Sequence, residues 1–375
     1  MQTARPTVAA IGTNPTPIWG MSAAERVRRL SGKAGLGFGE EPAEGARMLV
    51  NIAFAVDPPL FNHMAKQPDH VLLDEQRRPV IAHLSEHVGA AGEIGEAMEA
   101  GTSMSETPGL TEIVHREGFT LYNHELRKRE QPFLMPLTPA TVPAIERASY
   151  YAAYKGVTDI LTKYLWPEWA LVLTRLAARI GATPNMVTAV GALLCVLATY
   201  LFWQGEYWWG MAAGLVFMVL DTVDGKLARC TITSSKWGNV FDHGIDLVHP
   251  PFWWWAWGVG LSAWGLAFSS ERFALVMLAI VGGYLVQRLI EGVFMRMFGM
   301  HIHVWERIDS RFRLITARRN PNMVILFVAL LFSRPDLGLE WVAWWTILSC
   351  IFHAVRLAQG IAWRRSGRPV ESWLG

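Results

Sequence analysis

The sequence predicts a soluble α/β domain followed by an all-α membrane domain of six transmembrane helices. The length of 375 residues gives room for about two domains. Short apolar runs alternate with polar segments in residues 1–131, whereas long apolar runs dominate from residue 183 onward. Hydrophobic residues make up 51% of the chain and 18 residues are tryptophan, a composition typical of a protein with a large part in lipid.

The soluble domain, residues 1–131, has the pattern of an α/β nucleotide-binding sandwich. Ser22 followed by Glu25 is a capping box that opens a short basic helix. Strand-like runs occupy residues 7–11, 48–56, 71–74 and 79–84, and the last two are joined by a charged turn.

A linker and surface helices are predicted to connect this domain to the membrane. Four prolines in residues 132–143 predict a linker over residues 132–149. Residues 150–182 alternate aromatic, aliphatic and basic side chains, which predicts interfacial helices lying on the membrane. The same pattern fits an amphipathic helix pair that packs on the soluble domain.

The membrane domain, residues 183–363, is predicted to contain six spans. Thr183 caps a helix with Pro184 in its first turn, and the apolar run that follows reaches Trp203. Further runs near the roughly 20 residues that a bilayer requires occupy residues 207–229, 237–264, 273–298, 321–334 and 338–362, of which the fifth span (321–334) is short. Six spans leave both ends of the chain on one side.

Loop charges predict which side that is. Basic residues precede the first span, separate the second from the third and the fourth from the fifth, and fill the tail, residues 364–375. This positive-inside pattern places both termini and the soluble domain in the cytoplasm. The start of the chain lacks the pattern of a signal peptide. We therefore expect an integral membrane protein of the bacterial inner membrane.

Charge and cysteine content exclude other classes. A formal net charge of +2, without a basic stripe interleaved with aromatics, argues against a nucleic-acid partner. Cys195, Cys230 and Cys350 are far apart in or beside apolar runs, so the spacing indicates neither a disulfide framework nor a metal site.

Four aspartates lie within the second and third predicted spans. Asp221 and Asp224 are three residues apart, and Asp242 and Asp246 are four apart, so each pair lies on one helix face. Carboxylate oxygens are the ligands that Mg²⁺ and Mn²⁺ prefer, and Mg²⁺ usually takes further ligands from water and substrate phosphates. The pattern predicts a metal-bound pyrophosphate, although transporters also keep acids within spans.

Small and basic residues complete a longer motif around these aspartates. Gly225, Ala228 and Gly238 allow a ligand or a helix to come close, and Arg229 is suited to phosphate oxygens. The spacing D-x-x-D-G-x-x-A-R, eight residues, G-x-x-x-D-x-x-x-D resembles the signature of the CDP-alcohol phosphotransferase family at all eight fixed positions.

The resemblance, which covers about residues 150–362, implies roles for the motif residues. In that family the first three aspartates bind two metal ions and the fourth acts as a base. Carried over, Asp221, Asp224 and Asp242 would hold two Mg²⁺ or Mn²⁺ ions, and Asp246 would be the base as well as a fourth candidate metal ligand. The implied CDP site consists of Gly225, Ala228, Arg229, Ser235, Gly238, Asn185 and Thr188.

The resemblance also implies partners without fixing the acceptor. The donor would be a CDP-alcohol, either CDP-diacylglycerol or a CDP-polyol, and the acceptor a polyol or polyol phosphate. Transfer of choline or ethanolamine type, from a CDP-headgroup to a lipid alcohol, fits the signature as well. Relatives are homodimers among membrane lipids, so we expect a homodimer here. A transporter with intramembrane acids is the rival class.

A basic cluster follows the fourth span. Arg288 and Glu291 lie about midway along that span and are predicted to face the bundle, paired with each other or with substrate. Arg307, Arg311 and Arg313 follow in the next loop, where a positive-inside function would also explain them. We expect Arg288, Arg307, Arg311 and Arg313 to bind an anionic acceptor, whereas Arg318 and Arg319 could simply anchor the loop to lipid.

The soluble domain resembles a cytidylyltransferase that has lost its catalytic loop. Some relatives carry such a domain, but prolines in residues 11–20 replace the glycines that would cradle a phosphate. We therefore expect a non-catalytic domain in which Asp57 is a strand-end turn residue. His243 and His249 lie near the motif but outside the signature, and packing is the favoured interpretation for both.

Overall fold

The computed structural model describes residues 6–39, 47–85, 90–116, 119–123 and 128–374. Within these ranges the side chains of Tyr122, Asn123, Arg129, Glu130, Lys236, Asn239, Asp242 and His243 are outside the description. The chain divides into two compact units. The first consists of Met1–Tyr154, Arg175–Gly181 and Lys226–Ser234, and the second of Lys155–Thr174, Ala182–Gly225 and Ser235–Gly375.

The first unit is built on a mixed six-stranded sheet of order β2-β1-β3-β6-β5-β7. Strand β6 is antiparallel to both of its neighbours, and the other strands are parallel to one another. The strands are β1 (Thr7–Ile11), β2 (Gly37–Phe38), β3 (Arg47–Asn51), β5 (His70–Leu73), β6 (Pro79–Leu84) and β7 (Thr111–Val114), and the other short strands are β4 (Phe54–Val56), β8 (Leu121–Asn123), β9 (Lys128–Glu130) and β10 (Leu134–Pro136).

Helices cover this sheet, whose strands are apolar on both faces and are therefore buried. All six residues of β6 are buried, and Val71, Leu73 and Ala82 form a core with Ile94 and Met98 of α3. Ser22 caps α1 as predicted, because its hydroxyl accepts the backbone N–H of Glu25. The helices are α1 (Ala23–Ala34), α2 (Pro58–Met64), α3 (Ala91–Ala100) and α4 (Val142–Ala152). The predicted α/β domain is confirmed.

The proline-rich segment that was predicted to be a linker is part of this fold. Strand β10 lies within residues 132–149 and pairs antiparallel with β4, and α4 begins at Val142. The prolines are compatible with these elements because Pro136 ends an edge strand and Pro143 lies in the first turn of a helix. Proline content alone does not distinguish such positions from a linker.

The second unit is helical. A π-helical turn (Leu161–Leu165) precedes α5 (Pro167–Arg179), whose last residues belong to the first unit. The helices that follow are α6 (Pro184–Trp203), α7 (Tyr207–Cys230), α8 (Lys236–Gly260), α9 (Ser270–Met277), α10 (Gly283–Phe298), α11 (Arg307–Phe312), α12 (Arg319–Leu331) and α13 (Pro335–Arg365). A π-helical turn (Leu278–Gly282) joins α9 and α10 into one continuous helix, Ser270–Phe298.

Helices occupy all six predicted spans, but three of them have the length and apolar character to cross a membrane. These are Pro184–Trp203, Ser270–Phe298 and Pro335–Arg365, within the residues that the structure describes. Helix α12 is apolar but has 13 residues. Helices α7 and α8 have 24 and 25 residues and carry the charged motif, which lowers their apolar character. A membrane protein is supported, and the count of six spans is not confirmed.

Aromatic side chains form the core of the second unit. Trp253 and Trp257 on α8 are fully buried against Phe202 and Tyr207. Their polar atoms have partners, because Trp253 donates to the carbonyl of Cys195 and Trp257 to that of Pro335. This core holds α6, α7 and α8 together, and the last two of these helices carry the acidic motif.

Candidate active site and a basic pocket

The turn into α8 positions the second half of the motif. Ser235 is the N-cap residue, and its hydroxyl accepts the backbone N–H of Gly238. A Cβ at Gly238 would lie 3.1 Å from the Ser235 hydroxyl oxygen and 3.4 Å from the side-chain oxygen of Asn185. Glycine at this position therefore allows α6 and α8 to approach closely. Three residues predicted for the CDP site, Asn185, Ser235 and Gly238, lie together.

One arginine joins the two halves of the motif. Arg319, the first residue of α12, donates from Nη2 to Asp221 Oδ2 at 2.8 Å and from Nη1 to Asp246 Oδ1 at 2.7 Å. The arginine side chain is 12% exposed, that of Asp221 16% and that of Asp246 45%. The structure thus brings Asp221 and Asp246 together around a single positive charge, with Asp246 on the more accessible side.

Asp224 is buried and contacts α6. The Thr188 hydroxyl is 2.6 Å from Asp224 Oδ2 and 3.0 Å from the carbonyl oxygen of Pro184. Since the hydroxyl has one proton, the shorter contact to the charged oxygen is the stronger hydrogen bond. Thr188, predicted for the CDP site, contacts a predicted metal ligand.

The remaining motif residues lie on α7 and α8. The backbone of Asp242 lies on α8, one helical turn before Asp246, but its side chain and that of His243 are outside the described residues. Gly225, Ala228 and Arg229 follow Asp224 along α7.

His249 packs among aromatic rings. Its ring makes edge contacts with Phe217 and Trp253, at centroid distances of 5.1 and 5.0 Å. Nδ1 donates to the carbonyl of Ile245 at 2.7 Å. These contacts agree with the packing interpretation.

An apolar groove of about 720 Å³ runs between α6 and α8. Gly244 and Ile245, which lie between the last two motif aspartates, line one part of it, and Trp203 and Trp255 line another. The groove is therefore continuous along α8 with the segment that carries Asp246.

A second polar cluster surrounds Glu291 of α10. Arg288 pairs with Glu291 at 3.2 Å as predicted, and Arg318 donates to Glu291 Oε1 at 2.5 Å. His303 Nε2 lies 3.2 Å from the same oxygen and 3.1 Å from Arg318 Nη2. Burial lowers the pKa of His303 well below its usual value, so its ring is neutral.

This basic pocket, defined by Arg288, Arg313, Arg318, His303 and His353, contains buried nitrogens that lack hydrogen-bond partners among the described residues. Within the part of the chain that the structure describes, Arg288 Nε, Arg313 Nη1, Arg318 Nε and both ring nitrogens of His353 make no hydrogen bond. Burial and the nearby charge of Arg318 lower the pKa of Arg313 to about 9, against the opposing effect of Asp159. An anion would supply both the missing acceptors and the missing negative charge.

The same cluster brings together three possible metal ligands, from Glu291, His303 and His353, whose ligand atoms lie within 4.8 Å of one another. Arg318 already contacts Glu291 and His303, and Arg288 adds a second positive charge beside Glu291. The arginines therefore favour an anion over a cation at this position.

Two of the four arginines predicted for the acceptor lie at the surface. Arg307 is exposed and its guanidinium stacks on Trp373 at 5.3 Å, and Arg311 is also exposed. The sequence did not assign His303 or His353 a function, and it left open whether Arg318 and Arg319 belong to the site or only anchor the loop to lipid. The available signal was the position of these two arginines at the predicted helix start, where cations oppose the helix dipole unless they have partners.

In the first unit, the loop after β1 is closed by its own side chains. The Asn14 amide donates to the carbonyls of Ile52 and Leu137, and its oxygen accepts the backbone N–H of Thr16. Trp19 is 3% exposed and donates to the Ser149 hydroxyl. Asp57 is the N-cap residue of α2, at the end of β4. The loop is thus held by side chains and filled by an indole ring.

Comparison with known families identifies the helical region. Residues 182–352 match the profile of the family described as CDP-alcohol phosphatidyltransferase. This region is a CDP-alcohol phosphatidyltransferase domain. The transferase domain so defined contains the whole acidic motif, Arg319 and every residue of the basic pocket except His353, which directly follows it.

Curated relatives include two kinds of enzyme. Cholinephosphotransferase 1 of Gallus gallus is 33% identical over 128 residues, which are 31% of this chain and 37% of that protein. Archaetidylinositol phosphate synthase of Pyrococcus horikoshii is 28% identical over 184 residues, 47% of this chain and 86% of that protein. Phosphatidylinositol phosphate synthase of Streptomyces avermitilis is 34% identical over 93 residues. These residues are 24% of this chain and 38% of that protein.

Among solved structures, the chain is similar to phosphatidylinositol phosphate synthase of Mycobacterium tuberculosis. The structure of that enzyme in complex with manganese and citrate matches with a TM-score of 0.40 and 17% identity, over 49% of this chain and 87% of that chain.

Proposed function

We propose that this protein is a membrane-embedded, metal-dependent transferase that moves a substituted phosphate group from a CDP-alcohol to an acceptor alcohol and releases CMP. The observation that carries the proposal is the convergence of Asp221 and Asp246, from separate helices, on one guanidinium within a complete family signature. A transporter has no need of the two glycines, the alanine and the arginine at fixed offsets from the acids.

The acids fit divalent cations. The four motif aspartates would hold one or two Mg²⁺ or Mn²⁺ ions, because their side chains offer only carboxylate oxygens. They are Asp221, Asp224, Asp242 and Asp246. Two of them, Asp221 and Asp246, already stabilise the positive charge of Arg319. When bound, such ions neutralise charge on the leaving phosphate. Seven residues are proposed to bind CDP or to contact the residues that do: Gly225, Ala228, Arg229, Ser235, Gly238, Asn185 and Thr188.

Asp246 is proposed as the base. Its side chain is 45% exposed, which leaves it accessible to an incoming hydroxyl, whereas Asp224 is buried. Asp246 takes the proton of the acceptor hydroxyl as the hydroxyl oxygen bonds to the β-phosphorus of the donor. The bond from that phosphorus to the CMP oxygen breaks, and CMP leaves.

The acceptor is proposed to be a polyol phosphate. Arg288, Arg313 and Arg318 present three buried nitrogen donors that lack acceptors among the described residues, and a phosphate group matches such a cluster. Arg307 and Arg311, which are exposed, are left out of this site. An uncharged lipid alcohol, as in transfer of choline or ethanolamine type, would leave these donors unsatisfied.

The donor is proposed to be a lipid such as CDP-diacylglycerol. The apolar groove between α6 and α8 continues from the Asp246 segment and has the character that an acyl chain requires. We further propose six spans with cytoplasmic termini, a homodimer, and the bacterial inner membrane as the location. Loop charges support the topology, and family resemblance supports the dimer.

A CMP-release assay tests the proposal. The purified full-length protein in detergent is given CDP-diacylglycerol with a polyol phosphate such as inositol phosphate, or CDP-choline with diacylglycerol, each with Mg²⁺ or Mn²⁺ and with EDTA. We expect CMP from the first pair, abolished by EDTA. CMP from the second pair alone would identify the choline-type reaction, and no CMP from any donor would favour a transporter.

A further inference from the structure

Arg319 contacts two of the four aspartates that are proposed to hold metal ions. Its two terminal nitrogens contact one carboxylate oxygen each of Asp221 and Asp246, at 2.8 and 2.7 Å. Its guanidinium also lies 5.0 Å from the centroid of the Phe217 ring. Neither the family signature nor the loop-charge pattern assigns this residue a function at the active site.

A guanidinium and a divalent cation compete for the same oxygens. The carboxylate oxygens that accept hydrogen bonds from Arg319 have their lone pairs directed at it, and an ion on Asp221 and Asp246 would need those lone pairs. Two positive groups on the same pair of carboxylates would also repel each other. Metal binding and the observed Arg319 contacts therefore oppose each other.

The backbone around Arg319 is anchored on both sides. Arg318 donates to Glu291, and the Asn320 amide donates to Asp159 at 3.0 Å. A change in the contacts of Arg319 is consequently a rotation of its side chain and does not require a shift of α12.

We propose that Arg319 is a built-in counter-ion of the metal site, which holds Asp221 and Asp246 together in the metal-free protein and leaves them when the metal binds. The inference rests on the proposed function for the metal and adds a positioning residue that acts through the two aspartates. In the absence of metal, Arg319 offsets the repulsion between two carboxylates in one cleft. Arg319 therefore lowers the affinity of the two aspartates for metal, but it keeps them close together before the metal binds.

The effect of Arg319 on metal affinity is tested by measuring Mn²⁺ binding in the absence of nucleotide. Free Mn²⁺ is measured by electron paramagnetic resonance during titration of the full-length protein in detergent. We expect Arg319→Gln to bind Mn²⁺ at least about tenfold more tightly than the unmodified protein, since either one of the two charge-assisted hydrogen bonds of Arg319 is worth roughly that factor. Arg319→Lys retains the charge without the forked geometry, so its Mn²⁺ affinity should lie between those of the unmodified protein and Arg319→Gln.

Arg311→Gln is the matched control, because it removes the same charge from an exposed residue that is left out of both sites. It should change Mn²⁺ affinity by less than about twofold, because solvent screens an exposed charge. Equal affinity of Arg319→Gln and the unmodified protein, weaker binding in Arg319→Gln, or an equal gain in Arg311→Gln would overturn the inference.

A measurement on the unmodified protein covers the case in which Arg319→Gln does not fold. Phenylglyoxal modifies accessible arginines, and mass spectrometry of the peptide that contains Arg319 reports its reactivity. We expect Mn²⁺ to increase the reactivity of Arg319, and unchanged or decreased reactivity at saturating Mn²⁺ contradicts displacement. Absence of any Mn²⁺ binding overturns the proposed metal-dependent function together with the inference, whereas normal binding without an effect of Arg319 overturns the inference alone.

Discussion

The acidic site and the basic pocket differ in the sign of their excess charge. In the acidic site, Asp221 and Asp246 share one arginine, so negative charge is in excess. In the basic pocket, Arg288 and Arg318 share Glu291, and Arg313 adds a third cation whose counter-charge comes from Asp159. The first arrangement is suited to cations and the second to an anion, as expected for a metal-bound donor and a phosphorylated acceptor.

The two sites meet at the beginning of α12. Arg318 contacts Glu291, and the next residue, Arg319, contacts the two motif aspartates. Successive residues at a helix start point in different directions, so one short segment serves both sites. Substitutions that affect the donor and the acceptor separately therefore test whether the two sites have separate functions.

The largest expected effect is at the base. Asp246→Asn should lower turnover at least about a hundredfold, the lower range of general-base contributions, while CDP still binds and the other three aspartates retain most of the metal affinity. Asp221→Asn should instead weaken metal-dependent CDP binding. Turnover by CMP release and binding by calorimetry with CDP and Mn²⁺ separate the two variants. Equal loss of CDP binding in both would rule out a dedicated base at Asp246.

An intermediate effect is expected in the basic pocket. Arg313→Ala should raise the KM for a polyol phosphate about tenfold, the value of one charge-assisted contact of roughly 1.5 kcal/mol, with the donor KM nearly unchanged. Arg296→Ala is the control, because Arg296 is exposed on α10. Steady-state kinetics with each substrate varied in turn provide the measurement. An unchanged acceptor KM in Arg313→Ala and Arg288→Ala would favour an uncharged acceptor.

A smaller effect is expected from the C-terminal tail. Trp373 donates from its backbone N–H to the carbonyl of Trp305 and from Nε1 to the Ser310 hydroxyl, and Ser372 donates to the carbonyl of Val304. The tail thus holds the segment that carries His303. Trp373→Ala should raise the acceptor KM about threefold, consistent with one neutral hydrogen bond, while Glu371→Ala, at an exposed neighbour, should not. A change in donor KM alone would contradict this function of the tail.

The smallest expected effect is in the first unit, where we predict no nucleotidyl transfer. The full-length protein with CTP, a phosphorylated alcohol and Mg²⁺ should release no pyrophosphate above background, because Asn14 and Trp19 close the loop that would bind the phosphates. A coupled pyrophosphate assay measures this, with a cytidylyltransferase as the positive control. Sustained release that depends on CTP would show that the domain is catalytic.

The sequence by itself determined the elements and the family. Short, continuous apolar runs formed strands that are buried on both faces of the sheet, as such runs predict. Ser22 determined a helix start through a local hydrogen bond. The spacing of Asp221, Asp224, Asp242 and Asp246 over two helices identified the transferase domain, since the signature depends on positions only 25 residues apart. The pairing of Arg288 with Glu291 followed from their separation by one helical turn.

Tertiary structure decided which distant residues meet. Arg319 is 98 residues from Asp221 and 73 from Asp246, and no helical period connects them. Burial separated Arg313 from Arg311, although the two are neighbours in one basic loop. His303 and His353 join the pocket because α13 packs beside α10, where Gly283 allows close contact with Thr346. A sequence specifies faces and ends of helices through local geometry, but long-range partners depend on how those helices pack.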